Sequence, residues 1–239
     1  MENPLRRTVQ IWIILTFLAL IMIFVPGWLG IDGFEGGFAI SFVSMFSVII
    51  GIIVISVYNG LASRLEKILG GEGVLAKWTY SPEVWEEYTE KEFTMEKAEA
   101  TPKFYIVAII AVIIGVAFYL FDPEGGVYVL GVMAALIAII GLVAYASTRY
   151  MHRQNLTGYP EAIIAENGVY MNRRFYYWNY LGTSLEKLTI KNENGLNMLH
   201  FVTWAPTMTL GQTWDIRVPV PTGEEETAKK IESKLSHDK

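Results

Sequence analysis

The chain has no cysteine, and only three histidines, His152, His200 and His237, in 239 residues. Disulfides, thiolate nucleophiles and cysteine-ligated metal clusters are therefore excluded, and histidines this scattered offer no metal-ligand spacing. Charge is also scarce, at 18% of residues, and it is missing altogether from four apolar runs, 9–29, 38–58, 104–121 and 127–146. Proton relays and many ion-coupled pathways need ionisable groups near the bilayer midplane, so their absence from these runs weighs against a pump. No nucleophile stands beside a general base in any recognisable pattern, which points to a non-enzymatic protein without a cofactor.

What is present is apolar. At 52% hydrophobic residues and a mean hydropathy of +0.33, the composition is that of a membrane protein. Each run is long enough, at 1.5 Å per residue, to cross or nearly cross a hydrocarbon core of roughly 30 Å. Short connections at 30–37 and 122–126 pair the runs into two helical hairpins. All 19 Lys and Arg residues lie outside those two tips, which carry Asp32, Glu35, Asp122 and Glu124. Cationic flanks stay on the cytoplasmic side, so the expectation is a multi-pass protein of the cell membrane with both termini and the 59–103 segment in the cytoplasm.

Small residues recur at helical spacing inside the runs: Ser44, Ser47 and Gly51; Ala111 and Gly115; Gly131, Ala134, Ala138 and Gly141. Such stripes let helix backbones approach closely. The sharper alternative is a polar path lined by Ser41, Ser44 and Ser47, as in a small transporter or channel subunit.

Four segments follow: a first hairpin (1–58), a cytoplasmic insertion (59–103), a second hairpin (104–150) and a cytoplasmic domain (151–239). The insertion reads as a short amphipathic helix over 61–69, a strand over 74–80, and an acidic helix that starts at Ser81-Pro82-Glu83, includes Glu96 and Glu99, and ends near Pro102. Trp78, Tyr80, Trp85 and Tyr88 cluster at its centre. Beyond Tyr150 the pattern changes to short alternating runs, which predicts about six strands. Asn167-Gly168 is expected to turn one hairpin, and 192–195 a second. Thr222-Gly-Glu-Glu225 is expected to cap a closing helix on which Ala228, Ile231 and Leu235 share a stripe.

The segments Glu166-Asn-Gly-Val-Tyr170, the aromatic stretch 175–178, the amphipathic 185–190 and Arg217-Val-Pro-Val-Pro221 ahead of an acidic helix carry a resemblance. Over residues 158–236 the chain resembles the prokaryotic membrane-anchored pleckstrin-homology-like proteins. That resemblance implies a bent β-roll or barrel capped by the terminal helix, in a group with no settled common activity. The insertion and the second hairpin depart from the simpler pattern of one hairpin followed by the domain.

The expected fold class is thus a four-helix membrane protein with a cytoplasmic PH-like β-domain. Its expected role is a platform for protein interaction and assembly, with the lipid bilayer, an unidentified protein and possible further copies of itself as partners. The candidate interaction surface is Trp78, Tyr80, Trp85, Tyr88, Tyr176 and Trp178, and the insertion's rings are expected to pack on the β-domain. Arg149, Arg153, Arg173 and Arg174 are candidate contacts to anionic head groups. Acidic and basic residues nearly balance in the β-domain, so nucleic acid is not expected, and His200 reads as a packed residue.

Overall fold

The structure is a computed structural model that describes residues 3–157, 160–193, 195–206 and 211–237. The side chains of Glu35, Glu96, Glu99, His152 and His237, named above, lie outside the described residues. The chain forms two compact units, one of Met1–Trp78 with Ala162–Lys239 and the other of Thr79–Glu161.

In the first unit Asn3 caps α1 (Pro4–Met22), its side chain accepting from the Leu5 N–H with Pro4 in the first turn. The run expected to be one span over 9–29 is broken. Pro26 has no N–H to give to the Met22 carbonyl and its ring crowds that carbonyl, so α1 ends at Met22 and a separate α2 covers Val25–Leu29 before Gly30 closes it at φ 65°. The break leaves the Ile23 carbonyl to the Ser41 hydroxyl, which donates to it at 2.9 Å. A π-helical turn over Gly33–Gly37, capped by Asp32, leads into α3 (Phe38–Leu69).

The amphipathic helix expected over 61–69 is the continuation of α3. A lone glycine at position 60 costs a helix only about 1 kcal/mol, and Leu65 and Ile68 beyond it are buried. Gly60 has its own reason to be small, since a Cβ there would meet the Tyr180 hydroxyl. Where α1 crosses α3, the space beside Gly51 is filled by Thr16, whose hydroxyl bonds back to the Trp12 carbonyl at 2.7 Å. Ser44 and Gly51 are both buried, as close packing by small residues requires.

The second unit holds α4 (Pro82–Phe121) and α5 (Pro123–Thr157). The acidic helix and the third apolar run are one helix of 40 residues, with Pro102 inside it rather than at a boundary. An interior proline removes one backbone bond and bends the helix at a cost of about 3 kcal/mol; strong helix formers before it, Met95-Glu-Lys-Ala-Glu-Ala100, and the long apolar run after it carry α4 through. Only Asp122 separates α4 from α5. The reversal is this tight because Gly126 lies against the backbone of Tyr119, where no Cβ fits. Ala111 and Gly115 on α4 are buried, whereas Gly131, Ala134 and Ala138 on α5 are exposed. α5 also runs past Tyr150, since no Gly or Pro intervenes before 158, and the β-domain begins at Glu161. Among the described residues, four helices are thus long and apolar enough to cross a membrane.

The β-region has two antiparallel sheets and a closing helix. One sheet runs β1 (Val74–Thr79), β2 (Glu161–Ala165), β3 (Gly168–Met171), β4 (Arg174–Tyr177); the other runs β5 (Ser184–Glu193), β6 (Leu196–Ala205), β7 (Gln212–Pro219). Residues 161–219 supply the six expected strands, and the insertion supplies a seventh. Bonds from Glu166 N–H to the Gly73 carbonyl (3.0 Å) and from Tyr80 N–H to the Pro160 carbonyl (2.8 Å) bracket β1 and β2 and set them antiparallel.

The first hairpin turns one residue earlier than expected. Ala165 pairs with Gly168, so the turn is Glu166-Asn167, and Gly168 sits in β3, where a Cβ would strike the Tyr176 carbonyl. Here glycine serves close approach rather than positive φ. The positive-φ turn lies in the next hairpin, between Met171 and Arg174, where Asn172 has φ 54° and Arg173 φ 63°. Positive φ at both central residues is the type I′ form of a two-residue hairpin, and a side chain other than glycine at the second position strains it by about 1–2 kcal/mol. Arg173→Gly should therefore raise stability, by up to about 1 kcal/mol after the extra entropy of a glycine in the unfolded chain. Thermal unfolding of the detergent-solubilised chain checks it; a lower midpoint would show that the arginine side chain outweighs its backbone.

β2 and β3 are covered on both faces. Ile163, Ala165 and Tyr170 form a core with Leu65 and Ile68 of α3, while Ile164 and Val169, opposite each other in register, are fully buried on the other face. In the second sheet Leu188, Phe201 and Ile216 align across the three strands, all buried. Trp178 connects the sheets, stacking on Phe201 at 5.3 Å. Its indole N–H donates to the Glu166 carbonyl at 3.0 Å and its backbone N–H to the Asn167 carbonyl at 2.9 Å, so one residue also fixes the first turn.

The closing helix α6 (Glu225–His237) starts later than the expected cap at Thr222. The Glu225 carboxylate accepts from the Gly223 N–H, and backbone N–H groups hold it below the usual carboxylate range. That contribution is present above the range and is lost as the pH falls through the lowered value. Ala228, Ile231 and Leu235 are buried as one stripe, and Glu232 takes the Ile190 N–H of β5 at 3.0 Å.

Candidate functional site

The last turns of α3 form one wall of a cleft of about 480 Å³; the loop at Glu72-Gly73, the Glu166-Asn167 turn and Tyr177 of β4 form the rest. The α3 wall brings Ser63, Arg64 and Lys67, which share one face of the helix. Arg64 is held rigidly. Its guanidinium lies 4.0 Å from the Tyr180 ring centroid and 5.5 Å from that of Tyr177, and Nη1 donates to the Gly60 carbonyl at 3.0 Å. Opposite stand two carboxylates, Glu72 and Glu166. Lys67 reaches Glu72 at 3.4 Å and Lys234 reaches Glu166 at 2.7 Å, all four side chains being well exposed. Arg6 forks onto Glu66 at 2.7 and 2.8 Å and also reaches Asn59, tying α1 to α3.

The aromatic residues singled out in the sequence are interior. Trp78, Tyr80, Trp85, Tyr88 and Trp178 are buried, and Tyr176 is half-buried on β4. Trp78 belongs to the first unit through β1, and its indole N–H donates to Glu224 at 3.3 Å, beside the start of α6. Tyr80, Trp85 and Tyr88 stack in series in the second unit, with centroids 5.4 Å apart at each step. Burial pushes the Tyr80 hydroxyl far up from its ordinary value. The strand half of the insertion is thus integral to the β-domain, through backbone pairing that a hydrophobicity pattern does not show.

The four candidate head-group cations are split between the units. Arg149 stacks on its own helix's Tyr145 at 5.0 Å, and Arg153 is exposed further along α5. Arg173 is exposed at its turn; Arg174 is partly buried in β4. Two serines of the polar-path alternative are engaged with backbone, Ser41 with Ile23 and Ser47 with Val43. The space beside Ser41 is an apolar recess lined by Ile23, Phe38, Phe42 and Met45.

His200, expected to be packed, is 1% exposed. Its Nδ1 lies 3.0 Å from Asp215 and its Nε2 3.2 Å from Glu193, the second approach falling outside hydrogen-bonding direction. Among the described residues no group of three or more metal-ligating side chains is arranged to hold an ion. The cleft and the Arg64 stack escape a reading of the sequence; the one signal for them is the Arg64–Lys67 spacing on a helix that continues past its apolar run.

The architecture is that of a chain with four potential membrane-crossing helices and a two-sheet β-domain with a closing helix. No family model, curated protein or solved structure matches it.

Proposed function

We propose that the chain is a non-enzymatic, multi-pass protein of the cell membrane whose cytoplasmic β-domain, of pleckstrin-homology-like form, is a platform for assembly with other proteins. The observation that carries this reading is the pairing of β1 with β2 across the whole of α4 and α5. A β-domain continuous with apolar helices at two separate points of the chain is fastened to the membrane twice, which suits a fixed scaffold better than a moving carrier. Seven strands as four and three with a closing helix agree with the form that the resemblance implies. The hydroxyls of Ser41 and Ser47, engaged with carbonyls, speak against a polar path.

Because the chain has no native cysteine, single cysteines report its orientation without background. Phe34→Cys and Glu124→Cys should react with an impermeant maleimide from outside intact cells, and Ser236→Cys only after the membrane is opened. In the same membranes a photo-cross-linker at Tyr176 should give one discrete adduct, while the purified chain in proteoliposomes passes no ions. External labelling at position 236, or solute flux by the chain alone, would sink the reading.

A further inference from the structure

We propose that the cleft between α3 and the Glu166-Asn167 turn binds an aminophosphate, a phosphate group and a primary ammonium joined by a short linker, as in a phosphoethanolamine head group. The phosphate would sit on Arg64 and Lys67 and the ammonium on Glu72 and Glu166.

Arg64 is the starting point. It is held by two tyrosine rings and a backbone carbonyl, and among the described residues it has no carboxylate within ion-pair distance. A guanidinium fixed in place yet uncompensated is a ready anion site, and its planar fork suits phosphate oxygens. Lys67, three residues on, shares its face. A simple anion on Arg64 and Lys67 would nonetheless face two carboxylates on the other side, Glu72 and Glu166, the latter already reached by Lys234 at 2.7 Å. The lining is neutral in sum and segregated by wall, which matches a ligand that is itself neutral in sum and segregated along its length.

The ion pairs already present do not block such a ligand. Lys67–Glu72 spans 3.4 Å with side chains 64% and 67% exposed, and Lys234–Glu166 spans 2.7 Å with side chains 49% and 47% exposed; exposed pairs of this kind contribute little in water, so both can open to a ligand. Turning Lys67 from Glu72 to a phosphate frees Glu72 for the ammonium in one exchange. The carboxyl end of the α3 dipole lies beside Glu72 and favours positive charge there. At about 480 Å³ the cleft is within the usual range for small-molecule sites.

Position bears on the source. Arg64 stands six residues past Tyr58, where the apolar run ends, which at 1.5 Å per residue is about 9 Å along the helix, near the depth of the head-group layer. The same chemistry reaches the cleft either on a lipid or as a free aminophosphate.

The full chain in phosphatidylcholine nanodiscs, titrated calorimetrically with glycerophosphoethanolamine, glycerol phosphate and inorganic phosphate, tests the assignment. The aminophosphate should bind about tenfold or more tightly than either simple phosphate. Arg64→Gln should abolish binding of all three, and Arg64→Lys should retain part of it. Glu72→Gln with Glu166→Gln should keep phosphate binding and erase the preference for the amine. Equal affinity for all three ligands in the native chain, or a preference that survives the double carboxylate variant, overturns the proposal; so does absence of heat with every ligand. Repeating the titration in discs containing phosphatidylethanolamine identifies the carrier: suppressed binding of the soluble compound means the lipid occupies the cleft, and unchanged binding means the free compound is the ligand. Both outcomes uphold the aminophosphate site, and neither depends on the scaffold reading.

Discussion

Residues 59–80 joined through an Asn-Gly turn to residues 160–239 should fold as a soluble, cooperatively melting domain, whereas residues 155–239 alone should not. The β1–β2 pairing makes the junction possible: Tyr80 donates to the Pro160 carbonyl at 2.8 Å, so the two ends to be joined are already neighbours across an antiparallel pair. A two-residue turn suits such a junction, and Asn-Gly adopts the required backbone. Magnitudes decide the second half. The shorter fragment lacks β1, and with it Trp78, which is 3% exposed and bonded to Glu224. It also lacks Leu65 and Ile68, which cover Ile163, Ala165 and Tyr170. Losing one large buried side chain costs about 2–5 kcal/mol, and a small domain has about 5–15 kcal/mol in total. Three such losses with a newly bared strand edge exceed what remains. Circular dichroism and thermal melts of the two fragments make the comparison, and a stable, sharply melting 155–239 would show that the domain does not need its first strand.

How much of this was legible in the sequence follows from the range of the interactions. Strands β5 to β7 are readable from β-forming runs bounded by turn residues; a wet face shows on β5, where Leu188 is buried beside exposed Lys187, whereas 198–201 of β6 and 216–219 of β7 are buried on both faces. The apolar helices are readable from length alone. The closing helix shows its stripe of Ala228, Ile231 and Leu235. Illegible features depend on contacts distant in the chain or on residues that break a local rule. Nothing near Val74 says that its strand pairs with one more than eighty residues later. The positive-φ turn carries Asn172-Arg173 and no glycine, while the glycine that looked like a turn, Gly168, is required by the Tyr176 backbone across the sheet. Pro102 lies inside α4 because the helix formers before it and the apolar run after it outweigh a single lost bond. In the cleft, Arg64 meets Tyr177 and Tyr180 only once the β-domain stands against α3, so its chemistry belongs to the tertiary fold.

Trp178→Ala should be the most damaging single substitution in the β-domain. The ring is 4% exposed and stacks on Phe201 at 5.3 Å with 24° between the planes, so truncation opens a cavity at the junction of the two sheets. Large-to-small changes at such positions cost about 3–5 kcal/mol. The indole N–H is also the donor to the Glu166 carbonyl, and an acceptor left unpaired at a partly buried turn adds about 1 kcal/mol or more. The backbone bond from Trp178 N–H to Asn167 survives in any variant, so the turn is loosened rather than abolished. Trp178→Phe separates the two contributions: it keeps much of the stacking and gives up only the side-chain bond and part of the volume, for a loss of about 1–2 kcal/mol. Unfolding of the joined 59–80/160–239 domain, followed by denaturant, measures both variants on one scale. The alanine variant should sit near or below the folding threshold and the phenylalanine variant well above it. If both melt like the parent, the two sheets are held together by something other than the Trp178–Phe201 stack, and the cleft beside Glu166 should then keep its shape without Trp178.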